Sequence, residues 1–419
     1  MKLCSLFISL LAVAPALADT AGDRMVARAK DAMTLYSNEQ SLVQRVKLTW
    51  TEQYQVAAVQ PCGGNGSKLK AGAKPFDHEF RRSWVGADVD FRTGTHFSLI
   101  SRVGGLPFRY RYEDGRERKD YTYTDIYELW VKQDVGKHVG VKLGKISPLF
   151  TTDYINSASR LDCVERSVMG GPQYGLDSNW GAEFTYTPTE RTQFFLQLLA
   201  NDRASEDKDL SNTDVYRDGR GAKGEFGWED KFYVLAGGDH RFAETETGYH
   251  KISLQYGHDF DNTYDNGSVS GANYFGLNVK DALSLGHEWQ CGALRVNTNI
   301  IGNAEMRHAD ATGNNNNLGW QVQPVYSLTP HCDLVCRYMG MTGHDACKLG
   351  ADHYVVRHTN SPKWVDSIHT LYIGANFYLS PQQKHAAKLM LGAEYLHARK
   401  SGDTAYCGWE LTSALRWSF

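Results

Sequence analysis

Read backwards from its carboxyl terminus, the chain alternates. Phe419, Trp417, Leu415, Ser413, Leu411, Trp409 and Cys407 are all uncharged, while the interleaved Ser418, Arg416, Ala414, Thr412, Glu410, Gly408 and Tyr406 hold both charges of the stretch. A period of two marks a β-strand with one apolar and one polar face. The strand finishes on an aromatic residue and carries more aromatics on the same side. If that side meets hydrocarbon, Arg416 must point the other way, because an arginine facing lipid near the bilayer midplane costs roughly 2–4 kcal/mol.

The same period recurs along the chain, so the terminal segment reads as the closing strand of a bacterial outer-membrane β-barrel. Val46, Leu48 and Trp50 alternate with Arg45, Lys47 and Thr49; Val85, Ala87 and Val89 alternate with Trp84, Gly86 and Asp88. Phe97 and Leu99 alternate with His96 and Ser98. Further candidate strands fall near 121–134, 138–147, 178–188, 191–200, 221–228, 231–241, 282–290, 292–304, 317–327, 332–342, 366–379, 386–398 and 405–419. Most have about the 10 residues that a tilted strand needs to cross a bilayer. The connections alternate too. Those at 92–94, 135–137, 188–190, 229–230 and 291–292 are tight, and those at 57–77, 105–120, 148–177, 201–220, 305–316 and 343–365 are long. Short turns on one side and long loops on the other fit periplasmic turns and extracellular loops. The expected fold is all-β: a transmembrane, antiparallel, up-and-down barrel of 16 strands. Gly248–Phe260 and Ala272–Lys280 would form a hairpin inside one loop, or raise the count to 18. A barrel of either size is too wide for side chains to fill and leaves an aqueous channel.

Composition agrees. Mean hydropathy is −0.47, charged residues make up 22% and aromatics 12%, and no apolar run after residue 18 is long enough for a spanning helix. Barrels evade that test because lumen and lipid residues alternate. Lys2, the apolar run Leu3–Val13 and Ala16-Leu17-Ala18 have the form of a secretory signal peptide, 1–18, cleaved after Ala18. Residues 19–40 form a periplasmic leader, with Met25, Ala29, Ala32, Met33 and Tyr36 at helical spacing, and 41–419 the barrel. A net charge of −3 excludes a strongly basic nucleic-acid binder. Of 8 cysteines, Cys4 lies in the signal, so an odd number remains and one thiol lacks an internal partner. If neighbouring turns meet, Cys291 and Cys332 could form a bridge. Cys332 and Cys336 lie about 13 Å apart along a strand, too far for one zinc. The acidic run Asp259–Gly267 departs from a calcium-binding loop and reads as a polar turn. No metal or cofactor is expected. No Gly-x-Ser-x-Gly or His-Glu-x-x-His occurs, and the chain is not expected to be an enzyme. An outer-membrane barrel esterase or lipase, or a secreted β-rich binding protein, is the alternative.

Several segments resemble the phosphate-selective porin O and P family. They are Phe80-Arg81-Arg82-Ser83-Trp84-Val85-Gly86; the run Gly144-Lys145-Ile146-Ser147-Pro148-Leu149-Phe150, followed by Glu165-Arg166-Ser167; Gly319–Thr329; and Gly374–Pro381 with Lys388–Leu391. Their order matches the family's from about residue 80 to the terminus. The resemblance implies a homotrimeric outer-membrane porin with a long loop folded inward. Cys163 and Val164 stand where the family has bulkier residues, and its phosphate-binding ladder finds no residue-by-residue counterpart.

On that reading segment 148–177 is the constriction loop, with Arg160, Asp162, Glu165 and Arg166 selecting solutes by size and sign. Alternation assigns Arg45, Lys47, Arg82, Arg102, Lys132, Lys142, Arg191, Arg295, Arg337, Lys388 and Arg416 to the lumen, against Asp88, Asp90, Glu128, Glu183, Asp333, Glu394 and Glu410. The basic excess predicts a modest preference for anions; phosphate is a candidate among them through the family resemblance alone. The expected partners are outer-membrane lipid and lipopolysaccharide, small solutes or anions, and two further copies of the chain. The expected location is the outer membrane of a Gram-negative bacterium.

Overall fold

The computed structural model describes residues 19–62, 67–73, 75–103, 109–111, 117–119, 124–170, 174, 178–200, 232–260, 279–306, 315–349, 354–362 and 364–419. Sixteen antiparallel strands close into a barrel: β1 (Val43–Pro61), β2 (Phe76–Phe91), β3 (Thr95–Val103), β4 (Thr124–Val135), β5 (Val139–Ile146), β6 (Asn179–Thr189), β7 (Thr192–Ala200), β8 (Phe232–Phe242), β9 (Gly248–Asp259), β10 (Val279–Cys291), β11 (Leu294–Met306), β12 (Asn315–Thr329), β13 (Cys332–Lys348), β14 (Trp364–Tyr378), β15 (Ala387–Lys400) and β16 (Asp403–Ser418). Each strand pairs with its neighbours in sequence, and β16 returns to β1 from Gly408↔Pro61 to Ser418↔Thr51. Closure leaves no edge with unpaired backbone groups, the condition for a sheet to cross lipid. Phe419 completes the seam by exchanging backbone hydrogen bonds with Trp50.

The terminal alternation is realised in space. Trp409, Leu411 and Leu415 face outward and are exposed, whereas Tyr406, Glu410, Ala414 and Arg416 are buried inside. The outward side chains of the other strands extend the belt: Leu143, Phe184, Leu196, Leu254, Leu285, Ile300, Val322 and Ile373 are all exposed. A soluble monomer rarely shows so large a contiguous apolar surface. Trp50 meets Trp417 edge-on at 5.6 Å at one rim, and Tyr395 packs on Trp409 at the other. These are interfacial aromatic girdles.

Two expectations about the wall change. Gly248–Asp259 is a wall strand, not part of a loop hairpin; it pairs with β8 and β10 along its whole length. The tight turn there is 243–247, while the expected strand 221–228 and turn 229–230 lie outside the described residues, as does Ala272–Asn278. The count of sixteen stands. The alternation of connections also lapses at the end. Segment 379–386 is long on the side of the tight turns, and Ser401-Gly402 is tight on the side of the long loops.

The leader is a helix, α1 (Asp19–Met33), but its buried face is Gly22 and Val26; Met25 is exposed, and Tyr36 lies in a short strand, Thr34–Ser37, paired to β1. The disulfide joins Cys62 to Cys407, with Cα atoms 5.4 Å apart, and Cys291 and Cys332 are free thiols. The expected bridge fails because β11 and β12 separate the strands that carry its two cysteines. Cys62 and Cys407 instead face each other across the β1–β16 seam, where Cys62 N donates to Cys407 O. Nearby, loops 62–75 and 349–363 are zipped together by Lys70 N to His358 O and Asn360 N to Lys68 O. A short helix in the second loop, α2 (Tyr354–His358), dips inward, and its Tyr354 hydroxyl donates to Glu79 at 2.7 Å.

Candidate functional site in the barrel lumen

Residues 147–170 leave β5 and cross the lumen. Their departure is set locally. Gly144 has φ +133°, and a Cβ there would lie 2.1 Å from Leu129 O, so only glycine fits the motif's first position. Gln197 then grips the segment's start, its Oε1 accepting from Leu149 N and its Nε2 donating to Ser147 O. Phe150 is buried and meets Tyr174 edge-on at 6.0 Å.

Residues 161–165 reach the opposite wall and are held there by its basic side chains. Arg416 spends its whole guanidinium, Nε on Gln53 Oε1 at 2.9 Å, Nη2 on Val164 O at 3.0 Å and Nη1 on Leu161 O at 3.5 Å. Lys388 Nζ donates to Leu161 O at 2.6 Å, and Arg337 Nη1 to Glu165 O at 3.0 Å. Asn376 donates to Asp162 O, and Gln323 to Asp162 Oδ2. Hydrogen bonds to charged groups each contribute about 1.5–3 kcal/mol, so these anchors hold the loop firmly.

Two of the loop's acids are neutralised in turn, while Asp153 accepts from Ser167 and Gln321. Asp162 takes Arg295 Nη2 on both oxygens at 2.7 Å. Glu165 is clasped by Arg81 Nε at 2.9 Å and Arg82 Nη2 at 3.2 Å. Two consecutive residues of a strand point to opposite faces, yet both arginines reach one carboxylate. A β-bulge explains this: Gln53 pairs with Arg82 and Tyr54 with Phe80, which leaves Arg81 as the extra residue. Burial alone would raise the Glu165 carboxyl, but Arg81, Arg82 and Arg416 outweigh it and hold it far below the usual carboxylate range. Burial pushes the Cys163 thiol well up, so it stays protonated and inert.

The sequence-predicted residues therefore divide. Arg160, Asp162, Glu165 and Arg166 all line one cavity of about 820 Å³, which also meets Arg295 and Arg337. Arg82, Lys388 and Arg416 do not present charge to solutes as expected; they are buried behind the loop, Lys388 and Arg416 donating to its backbone carbonyls and Arg82 to the Glu165 carboxylate. Lys142 is paired with Glu183 at 3.0 Å and rests on Trp130, and Arg102 lies over Tyr127.

Alternation alone missed four contributors to the site. Arg81 was hidden by the bulge. Lys251 is an inward residue of β9, a strand whose place was open. Lys30 comes from the leader. Lys384, paired with Asp333 at 2.9 Å, comes from segment 379–386.

The cavity's charge balance follows from these pairings. Lys30, Arg160, Arg166, Lys251, Arg295, Arg337 and Lys384 line it, against Asp153, Asp162, Glu165, Asp239 and Glu288. Arg295, Arg337 and Lys384 are ion-paired. Arg160 is exposed, and among the described residues its guanidinium makes no ion pair; the same holds for Lys251 and Lys30. Arg166 touches carbonyls of Asp153 and Asn156 and the Tyr154 ring, but no carboxylate. Between these charges the wall strands contribute neutral polar side chains, Ser253, Gln255, Asn297, Gln321 and Gln323.

The fold is that of an outer-membrane porin. The outer membrane channel DcaP of Acinetobacter baumannii superposes with a TM-score of 0.53 at 10% identity, over 92% of this chain and 99% of that one. OprB of Pseudomonas putida gives 0.56 at 11%, over 89% and 94%. An anion-selective porin from Comamonas acidovorans gives 0.52 at 11%, over 89% and 99%. No protein-family model matches the sequence, and no curated protein matches it.

Proposed function

We propose that this protein is a porin of the outer membrane that lets small hydrophilic solutes diffuse down their gradients, with a modest preference for anions. Arg160 carries the reading: an exposed guanidinium that makes no ion pair among the described residues, on a loop that other residues pin across the lumen. Its field acts on whatever passes, together with Arg166 and Lys251, while the paired acids Asp162 and Glu165 are largely cancelled. Residues 148–177 act as the constriction loop. Phosphate as the favoured anion, membership of the O and P family and a homotrimer rest on the sequence resemblance. Export through the cleaved signal 1–18 and a surface bathed in lipid and lipopolysaccharide complete the proposal.

Liposome swelling tests it. Vesicles carrying the purified protein should swell in small neutral sugars and in the salts of small anions, and more slowly as solute size rises. Vesicles that stay osmotically intact in every solute would end the channel reading.

A further inference from the structure

The leader helix α1 is seated on the barrel through a single stripe. Gly22, Val26 and Lys30 stand four residues apart and so share one face of the helix. Gly22 touches the inward segment 379–386 so closely that a Cβ would lie 1.9 Å from Leu379 O. Val26 has no exposed surface. Between them, Asp23 accepts a hydrogen bond from the Ser380 hydroxyl, itself fully buried. Arg24, Arg28 and Asp31 occupy the opposite, exposed face.

The far end of the helix is fixed as well. Thr34 Oγ1 donates to Lys30 O at 3.3 Å, and Thr34–Ser37 pairs with β1 through Thr34↔Lys47 and Ser37↔Arg45. With both ends held, the stripe that docks Gly22 and Val26 directs Lys30 into the cavity that Arg160 and Asp153 also line. The ammonium faces Lys47, and burial together with that neighbour lowers its pKa. No carboxylate among the described residues pairs with it.

We propose that α1 is a periplasmic selectivity element: docked by Gly22 and Val26 on segment 379–386, it holds Lys30 in the solute path as a second charged narrowing beyond the constriction loop. Lys30 is then a specificity-determining residue for anions, and the helix is its positioning device. This rests on the porin reading. The helix stands outside the closed wall, so changing it leaves the barrel's own hydrogen bonding intact.

Planar bilayers with the full chain provide the test, using the wild type, Lys30→Glu, Gly22→Leu and the double variant. Lys30→Glu changes the local charge by two units and should lower the anion-to-cation permeability ratio by roughly four- to sixteenfold, at two- to fourfold per unit charge a few ångströms from the path in water. Gly22→Leu should lift the helix, raise single-channel conductance and erase the effect of Lys30→Glu in the double variant. A conducting wild type whose ratio is unmoved by Lys30→Glu overturns this proposal alone. So does a Lys30→Glu effect that persists undiminished beside Gly22→Leu. A wild type that never conducts fails the porin reading itself.

Discussion

Arg416, three residues from the end of the chain, donates to the backbone carbonyl of Val164 at 3.0 Å, in a loop 252 positions earlier. The cation of the closing strand is thus a clamp on the segment that follows β5. Gln53 is the bridge between the two arginine clamps, because its Oε1 accepts from both Arg416 Nε and Arg82 Nη1.

Replacing Arg416 by Met should therefore loosen the loop more than it alters charge selectivity. The loop would lose anchors of about 1.5–3 kcal/mol each, while the β1–β16 seam keeps its backbone pairing. Single-channel recordings should show higher and noisier conductance. A quiet channel with only a shifted reversal potential would mean that Arg416 acts as a lumen charge instead.

Arg160→Ala should do the reverse. A unit charge about 5 Å from a passing ion in water is worth roughly 0.8 kcal/mol, or about fourfold in local anion concentration. The anion preference should drop by up to that factor with little change in conductance noise. Because Debye screening at 1 M salt acts within about 3 Å, the difference should shrink as salt rises. A difference independent of ionic strength would point to a change in loop position.

Much of the fold was legible because the period of two is imposed by lipid on one side and water on the other; β16 showed it completely. The expectation that 148–177 folds inward came from its length and from the Gly144–Ser167 resemblance; the contacts of residues 161–165 could not be read from either. Which inward cations meet solute was not legible. Alternation places Arg416, Lys388 and Arg295 equally inside, and only the path of the loop backbone decides that the first two are consumed by Leu161 and Val164 carbonyls while Arg295 lines the cavity. Arg81 escaped because a bulge breaks the parity on which the reading depends. Gly248–Asp259 was open because a strand in the wall and a strand in a loop hairpin share the same pattern. The Cys62–Cys407 pair was illegible for another reason: only barrel closure brings residues 345 apart to the same rim.

That disulfide staples the extracellular end of the seam. Cys62→Ser with Cys407→Ser, or treatment with reductant, should cost about 2–4 kcal/mol of stability and lower the temperature of the heat-induced gel mobility shift. Conductance should persist, because the seam's backbone hydrogen bonds remain. An unchanged transition temperature would show that the staple adds nothing to closure.

His385 predicts a dependence on acid. Burial, and then Lys388, Arg295, Arg160 and Arg416, push its imidazole down to about 3 from 6.5. A base whose folded pKa is depressed stabilises the folded packing above its unfolded value. That contribution fades as pH falls from 6.5 towards 3, because the unfolded form takes up the proton first. Glu165, held low in the fold, adds a loss of its own once the pH falls below its ordinary value of 4.5, so the histidine is read above that pH. The mobility-shift temperature should fall between pH 6.5 and 3, and His385→Asn should flatten that fall. An equal fall in the variant would assign it to other groups.

The central claim is a water-filled pore whose selectivity is set by Arg160 and the neighbouring cations that make no ion pair among the described residues. The reversal potential of single channels in a tenfold potassium chloride gradient tests it most directly. The wild type should conduct in discrete steps, and its reversal potential should lie on the chloride side, with a modest departure from zero. Absence of steps, or a reversal potential on the potassium side, would contradict the account.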